Sequence, residues 1–147
     1  MTTIALLASM LIGGADADER AAHPTIAYKI LTRPETEALR THGRFAGSPA
    51  DLADGFIHLS TAEQLTGTAD RHFPGQTDLF LAAVNVEATG ETMKWERSPR
   101  SGLIFPHLYG VLEQRWVMSL APLRRDSEGR VVVGISSASP DGPSPPA

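Results

Sequence analysis

The sequence predicts a single α+β domain. Apolar strand-like segments alternate with amphipathic helices only as far as about residue 75, and the segments after that point are all strand-like. A doubly wound parallel sheet would need regular alternation along the whole chain. A length of 147 residues suits one domain, and 41% hydrophobic with 20% charged residues is typical of a globular protein.

The first predicted strand leads directly into the first predicted helix. Residues 26–31 (IAYKIL) are rich in β-branched and aromatic side chains, which favours a strand. Thr32 and Glu35 then have the spacing of a helix capping box, with Pro34 in the first turn. The helix is predicted to end at Gly43, because glycine readily adopts the left-handed conformation of a helix C-cap.

A second strand and helix follow a loop with a predicted single helical turn around Asp51. Residues 55–59 (GFIHL) predict the strand. Ser60 and Glu63 repeat the capping-box spacing and predict the start of a helix that ends before Pro74. Its apolar face is predicted to carry Ala62, Leu65, Ala69 and Phe73.

The second half of the domain is predicted to be all strand. Residues 78–86 (DLFLAAVNV) are almost continuously apolar, which is typical of a strand at the centre of a sheet. Further strands are predicted at 93–96, within the mixed strand and turn of 105–112, at 115–120, and at 131–133 as a hairpin partner across 126–129.

The two ends of the chain are predicted to lie outside the fold, so that residues 1–25 are a leader, 26–135 the domain and 136–147 a disordered tail. Residues 4–12 form an apolar run that is too short to span a bilayer and has no preceding Lys or Arg. We therefore expect a cytoplasmic protein, or a secreted one if residues 1–17 are a signal peptide. The tail is rich in proline and serine and has no large apolar side chain.

Charge and composition exclude several classes of function. The formal net charge is -4, and basic and acidic residues nearly balance between positions 26 and 135. A protein that binds duplex nucleic acid needs a basic stripe, which this distribution does not supply. The chain has no cysteine, which excludes disulfides, thiolate metal sites and a cysteine nucleophile. Chemistry must therefore depend on histidines, carboxylates and hydroxyls.

The first candidate cluster lies at the second strand. Strand alternation places Phe56 and His58 on one face, just before a helix start whose free N–H groups attract anions. Ser60 lies at that helix start. The alternative interpretation is that Ser60 only caps the helix and that His58 is a hydrogen-bonded core residue.

The second cluster is Trp95 and Glu96. A carboxylate beside an indole can act as an acid or stabilise a developing positive charge. The alternative is that Trp95 belongs to the core and that Glu96 forms a surface ion pair with Arg97 or Arg100.

The third cluster is Phe105, His107 and Tyr109, which alternate onto one face of an extended segment. Such a face can stack against a flat ring while His107 and Tyr109 make hydrogen bonds. The alternative is an aromatic core strand that ends at Gly110. A metal site of His58, His107 and Glu96 is chemically allowed, but no close ligand spacing supports it, and we predict that no metal is bound.

Three motifs in this order, DGFIHLST, KWE and IFPHLYG, resemble the bacterial and plant family known as domain-of-unknown-function family 952 over about residues 27–123. The resemblance implies a fold similar to that of ADP-ribosyltransferases, a compact split sheet, mixed or antiparallel, with two main helices and NAD held in a cleft. It therefore implies a nucleotide pocket with NAD as the candidate cofactor. Phe56 or His58 would stack on nicotinamide, and Glu113, or its rival Glu96, would stabilise an oxocarbenium-like transition state.

We therefore expect a pocket that binds a nucleotide or a similarly flat molecule and acts on it without a metal, as a transferase or by glycosidic-bond chemistry. The predicted catalytic residues are His58, His107, Glu96 and Glu113. The predicted ligand-binding residues are Phe56, Ser60, Trp95, Phe105 and Tyr109. Two other functions remain open: an isomerase or cyclase acting on a hydrophobic metabolite, and a non-catalytic binding or interaction module.

Overall fold

The computed structural model describes residues 23–133. The predicted tail lies outside this range, and so does the predicted leader as far as residue 22. The ring of His23 stacks on Trp95, and the carbonyl oxygen of Thr25 accepts a hydrogen bond from the backbone N–H of Val86. Residues 23–25, which the sequence assigns to the leader, therefore include residues that contact the domain.

Helices and strands of this range confirm the α+β class. In chain order they are β1 (Ile26–Thr32), α1 (Arg33–His42), β2 (Arg44–Phe45), α2 (Pro49–Asp54), β3 (Ile57–His58), α3 (Leu65–His72), β4 (Leu79–Asn85), α4 (Val86–Thr89), β5 (Met93–Arg97), β6 (Ile104–Leu108), β7 (Leu112–Glu113) and β8 (Val117–Pro122). Single 3-10 turns lie at Ala62–Gln64, Gly90–Thr92 and Gln114–Trp116. Within residues 23–133 no helix is long and apolar enough to cross a membrane.

All strand pairs are antiparallel. Strand β4 lies between β1 and β8 in one sheet, as its apolar sequence predicts, and β6 lies between β3 and β5 in a second sheet. Strands β2 and β7 form a separate pair. The two larger sheets meet where Tyr28 and Ser60 exchange backbone hydrogen bonds of 2.8 Å in each direction. This junction brings β1 beside β3, which carries His58.

Helix α1 forms as predicted because both of its ends are encoded locally. The backbone N–H of Thr32 donates to Glu35 Oε1 at 3.0 Å, and the N–H of Glu35 donates to Thr32 Oγ1 at 3.3 Å. Gly43 ends the helix at a φ of 76°, a conformation that a side chain would strain.

Three predicted boundaries are wrong. Ser60 and Glu63 do not form the second capping box, because the backbone of Ser60 is still paired with Tyr28; instead the N–H of Thr61 donates to Gln64 Oε1 at 3.0 Å. The predicted strand at 115–120 starts only at Val117, after the 3-10 turn at Gln114–Trp116. The predicted strand at 131–133 is reduced to one bridge between Arg125 and Val131.

The core lies on both faces of the β1–β4–β8 sheet. One apolar cluster includes the buried Leu31, Phe80 and Val84, and a second cluster on the other face includes Leu81. Helix α3, with the residues at its two ends, covers the second cluster. The residues of the predicted apolar face are either fully buried or packed against the core: Ala62, Leu65, Ala69 and Phe73. The sheet therefore holds β1 and α3 rigidly on two sides of the site described next.

Candidate functional site

A cavity of about 780 Å³ lies where the two larger sheets meet. Its volume is within the range of about 300–1,000 Å³ that is usual for small-molecule sites. Residues of β1, α2, β3, α3 and β6 line it, together with the loop between β5 and β6. Five of the residues predicted from sequence are among them: Phe56, His58, Ser60, Phe105 and His107.

The two predicted histidines lie opposite each other. Antiparallel pairing of β3 and β6 makes His58 and His107 direct partners, and their ring centroids are 5.6 Å apart. Phe56 stacks on His107 with the ring centroids 4.0 Å apart and the planes inclined by 21°. Phe56 also lies 4.7 Å from the His58 ring and 5.2 Å from the Tyr109 ring. The predicted aromatic faces of the first and third motifs are therefore one surface.

Both ring nitrogens of His58 contact carboxylates. Nδ1 lies 2.6 Å from Asp51 Oδ1, and Nε2 lies 2.9 Å from Asp54 Oδ2. Asp51 Oδ1 also accepts the backbone N–H of His58 at 3.1 Å. These contacts fix the orientation of the ring and leave neither nitrogen without a partner.

Asp51 is buried and is held from several sides. The Lys29 ammonium, itself buried in β1, donates to Asp51 Oδ2 at 3.0 Å, and the backbone N–H of Ser48 donates to the same oxygen at 2.9 Å. Burial by itself would raise the pKa of Asp51, but the hydrogen bond from His58 and the charge of Lys29 outweigh it and hold the pKa far below its ordinary value. Asp51 is therefore ionised, and its charge is shared between an ammonium and an imidazole.

His107 has a different set of contacts. Its Nδ1 lies 2.7 Å from Glu96 Oε1, and the Tyr109 hydroxyl donates to Glu96 Oε1 at 2.8 Å and to Oε2 at 3.1 Å. The hydrogen bond from His107 lowers the pKa of Glu96, with a smaller contribution from Tyr109. The same carboxylate raises the pKa of Tyr109 through their hydrogen bond. An ionised Glu96 accepts a hydrogen bond from Nδ1–H, so in the neutral ring of His107 the lone pair is on Nε2.

The second ring nitrogen of His107, Nε2, differs from Nδ1 in its contacts. It has no hydrogen-bond partner among residues 23–133, and His107 lines the cavity whereas its partner Glu96 does not. An imidazole held at Nδ1 by a carboxylate can accept a proton at Nε2, and the carboxylate then stabilises the resulting positive charge. The arrangement can therefore act as a general base and, once protonated, as a general acid.

Four predicted site residues do not line the cavity, namely Trp95, Glu96, Tyr109 and Glu113. Ser60 lines the cavity, but its hydroxyl is 2.9 Å from that of Thr68. Trp95 stacks on His23 at 4.2 Å, and Trp95 and Tyr109 do not line the cavity. Glu113 does not line it either: it lies in β7 and is paired with Arg44 in the β2–β7 pair, and within residues 23–133 its carboxylate forms an ion pair only with Arg115, at 4.0 Å.

Sequence reasoning missed Lys29, Asp51 and Asp54. The signal for Lys29 is a single charge within the apolar run IAYKIL, which implies a buried partner. The signal for Asp51 is the spacing of Ser48 and Asp51, which form a capping box for α2. No three His, Asp or Glu side chains are arranged to hold a metal ion in the range that the structure describes.

The fold and the site define a small α+β protein in which two imidazole–carboxylate pairs meet at one cavity. Residues 30–120 match the family model described as "Protein of unknown function (DUF952)", and the chain belongs to this family. This match confirms the family resemblance of the three motifs.

Two solved structures of one bacterial protein are similar to this chain. The X-ray structure of protein CC0527 from Caulobacter crescentus is 49% identical in sequence, covers 76% of this chain and 97% of its own, and has a TM-score of 0.68. The solution NMR structure of CC0527 is 47% identical, covers 80% of this chain and 100% of its own, and has a TM-score of 0.64. No curated protein matches the chain.

Proposed function

We propose that this protein binds a nucleotide or NAD-like molecule in the cavity and acts on it by metal-independent acid–base chemistry, with His107 as the group that exchanges the proton. One observation carries the proposal. Glu96 holds Nδ1 of His107, and Nε2 has no partner among the described residues and belongs to a residue of the cavity wall. This is the arrangement that a general base requires.

The surrounding residues suit a flat ligand. Phe56 and Phe105 provide aromatic walls against which a base or a nicotinamide ring can stack. His58, fixed by Asp51, provides a polar group of defined orientation beside them. Neither Glu113 nor Glu96 lines the cavity, but Glu96 contacts His107, so we assign the carboxylate role to Glu96, which stabilises positive charge on His107.

Hydrolysis of an N-glycosidic bond is the reaction that we infer for an NAD-like substrate. The oxygen of a water molecule attacks C1′ of the ribose, and the C1′–N bond breaks with its electron pair retained by nicotinamide. His107 Nε2 accepts the proton that the water loses. Transfer of ADP-ribose to another nucleophile would follow the same course with that nucleophile in place of water.

Two small antiparallel sheets joined at Tyr28 and Ser60 support an ADP-ribosyltransferase-like fold. In such a fold NAD is the expected substrate. We infer a cytoplasmic location, where NAD would be available.

The test is a titration with NAD and ADP-ribose, combined with an assay for nicotinamide release from NAD. We expect the unmodified protein to bind both and to release nicotinamide. His107→Gln should still bind, because the aromatic walls remain, but should lose nearly all release. His42→Gln is the matched control, since His42 is an exposed histidine at the end of α1 that does not line the cavity. A well-folded protein that binds neither compound would contradict the proposal.

A second candidate function is favoured by the apolar side chains that also line the cavity, among them Ile30 and Phe73. An isomerase or cyclase that acts on a hydrophobic metabolite would use the same two histidines as acid and base. It would bind apolar compounds and would not bind ADP-ribose. A non-catalytic binding module would show binding that His107→Gln leaves unchanged, without turnover of any compound.

A further inference from the structure

Two arginines at the cavity have no neutralising partner among residues 23–133. Arg71 lies in the last turn of α3, and Arg100 lies in the loop between β5 and β6; both line the cavity. Neither makes a salt bridge within residues 23–133, whereas the third basic side chain of the lining, Lys29, is paired with Asp51 at 3.0 Å. The positive charge of Lys29 is thus compensated, and that of the two arginines is not.

The carboxylates of the cavity are already engaged. Asp51 is held by Lys29 and His58, and Asp54 contacts His58 Nε2 at 2.9 Å. The third, Glu35, accepts the backbone N–H of Thr32 at 3.0 Å in the cap of α1. None of the three lies within salt-bridge distance of Arg71 or Arg100.

His72 responds to this concentration of positive charge. Its pKa is lowered, first by partial desolvation and then by Arg71 and Arg100, with smaller contributions from His58 and Lys29. Arg71 and Arg100 line the cavity together with His72, and two positive charges at one cavity favour an anion.

The position of Arg71 at the end of a helix gives a structural reason for one of the two arginines. Basic side chains are favourable near helix C-termini, and Arg71 in α3 has that position, as Arg40 has in α1. Arg100 lies in a loop and has no such role. Arg40 does not line the cavity, so it provides a control with the same helix position and the same charge.

We propose that Arg71 and Arg100 form a phosphate subsite, so that the ligand of this cavity is a phosphate ester whose organic part extends towards Phe56 and His107. Guanidinium groups bind phosphate through paired, charge-assisted hydrogen bonds, which suits two arginines without carboxylate partners. The inference rests on the proposed function to the extent that the cavity is taken as the ligand site. It adds the two residues that would hold the phosphate of the ligand.

The experiment compares three probes on the full chain at low salt: inorganic phosphate, ADP-ribose and adenosine. Binding is measured by calorimetry and by NMR shifts of backbone amides. We expect phosphate and ADP-ribose to bind and adenosine to bind more weakly than ADP-ribose. Arg71→Gln and Arg100→Gln should each weaken ADP-ribose binding by about tenfold, the loss of one charged hydrogen-bonding partner, and leave adenosine binding unchanged. Arg40→Gln should behave as the unmodified protein.

The outcomes separate the two proposals. If ADP-ribose binds equally well to Arg71→Gln, Arg100→Gln and the unmodified protein, the phosphate subsite is overturned and the proposed function stands. If inorganic phosphate binds and depends on both arginines but ADP-ribose and NAD do not bind, the subsite stands and the nucleotide function fails. Absence of binding by both phosphate and ADP-ribose overturns the subsite. Thermal unfolding of each variant confirms that the comparison is made on folded protein.

Discussion

His58 and His107, two of the three histidines that line the cavity, have opposite surroundings. The side chain of His58 is 38% exposed, and its carboxylate partner Asp51 is 2% exposed. The side chain of His107 is 11% exposed, and its partner Glu96 is 38% exposed. The first pair is an accessible ring on a buried carboxylate, and the second is a buried ring on an accessible carboxylate.

This difference separates a structural role from a chemical one. Asp51 connects α2, β1 and β3, because it accepts from Ser48, Lys29 and His58 at once. Its network is part of the fold, and His58 has both nitrogens engaged. Within the described part of the chain, the Glu96 carboxylate accepts side-chain hydrogen bonds only from His107 in β6 and from Tyr109 just after it, and one nitrogen of His107 has no partner there. We therefore expect damage to the first network to lower stability, and damage to the second to change chemistry.

The largest effect should come from Asp51→Asn. Removing the charge leaves the Lys29 ammonium buried without a counter-ion, which typically costs about 3–5 kcal/mol. The matched change Glu96→Gln is equally conservative but affects a half-exposed pair, for which about 1 kcal/mol or less is expected. Urea unfolding of both variants gives the two free energies.

A second change tests the cause of that loss. Lys29→Met combined with Asp51→Asn removes the unpaired charge, so the double variant should recover part of the free energy of unfolding. Equal stability of Asp51→Asn and Glu96→Gln would contradict the distinction between the two networks.

Stability at low pH should depend on the first network. The pKa of Asp51 is lower in the folded protein than in the unfolded chain, where it is about 3.9. Its stabilising contribution is therefore fully present at neutral pH and is lost as the pH falls below about 5. Asp51→Asn should flatten the decrease in unfolding free energy over this range. If the curves of the variant and the unmodified protein run parallel, Asp51 does not make this contribution.

Much of the fold could be predicted from sequence because its signals are local. The cap of α1 needs only Thr32 and Glu35, three residues apart, and the central position of β4 follows from one apolar run. Strand alternation likewise placed Phe56 and His58 on one face. Each of these inferences compares residues within a single element.

The networks around the two histidines could not be predicted in this way. The Lys29–Asp51 contact joins residues 22 positions apart, and only the packing of α2 against β1 decides it. The role of Asp51 in the cap of α2 is local, but that cap uses one oxygen and gives no sign that the other contacts His58. Glu113 illustrates the converse: the family resemblance implies a catalytic role for it, and the pairing of β7 with β2 places it away from the cavity.

The tautomer of His107 provides the sharpest test of the network formed by Glu96 and His107. The variants that change it should also change stability least. While Glu96 is ionised it accepts a hydrogen bond from Nδ1–H of His107, so the neutral ring should carry its proton on Nδ1. Long-range ¹H–¹⁵N NMR spectra measure this directly. Glu96→Gln should shift the population towards the Nε2–H tautomer, which has no lone pair on Nε2. Tyr109→Phe, which removes both contacts of the Tyr109 hydroxyl with Glu96, should leave the Nδ1–H form dominant. An Nε2–H form in the unmodified protein would remove the lone pair from the cavity, and with it the reason for assigning the proton transfer to His107.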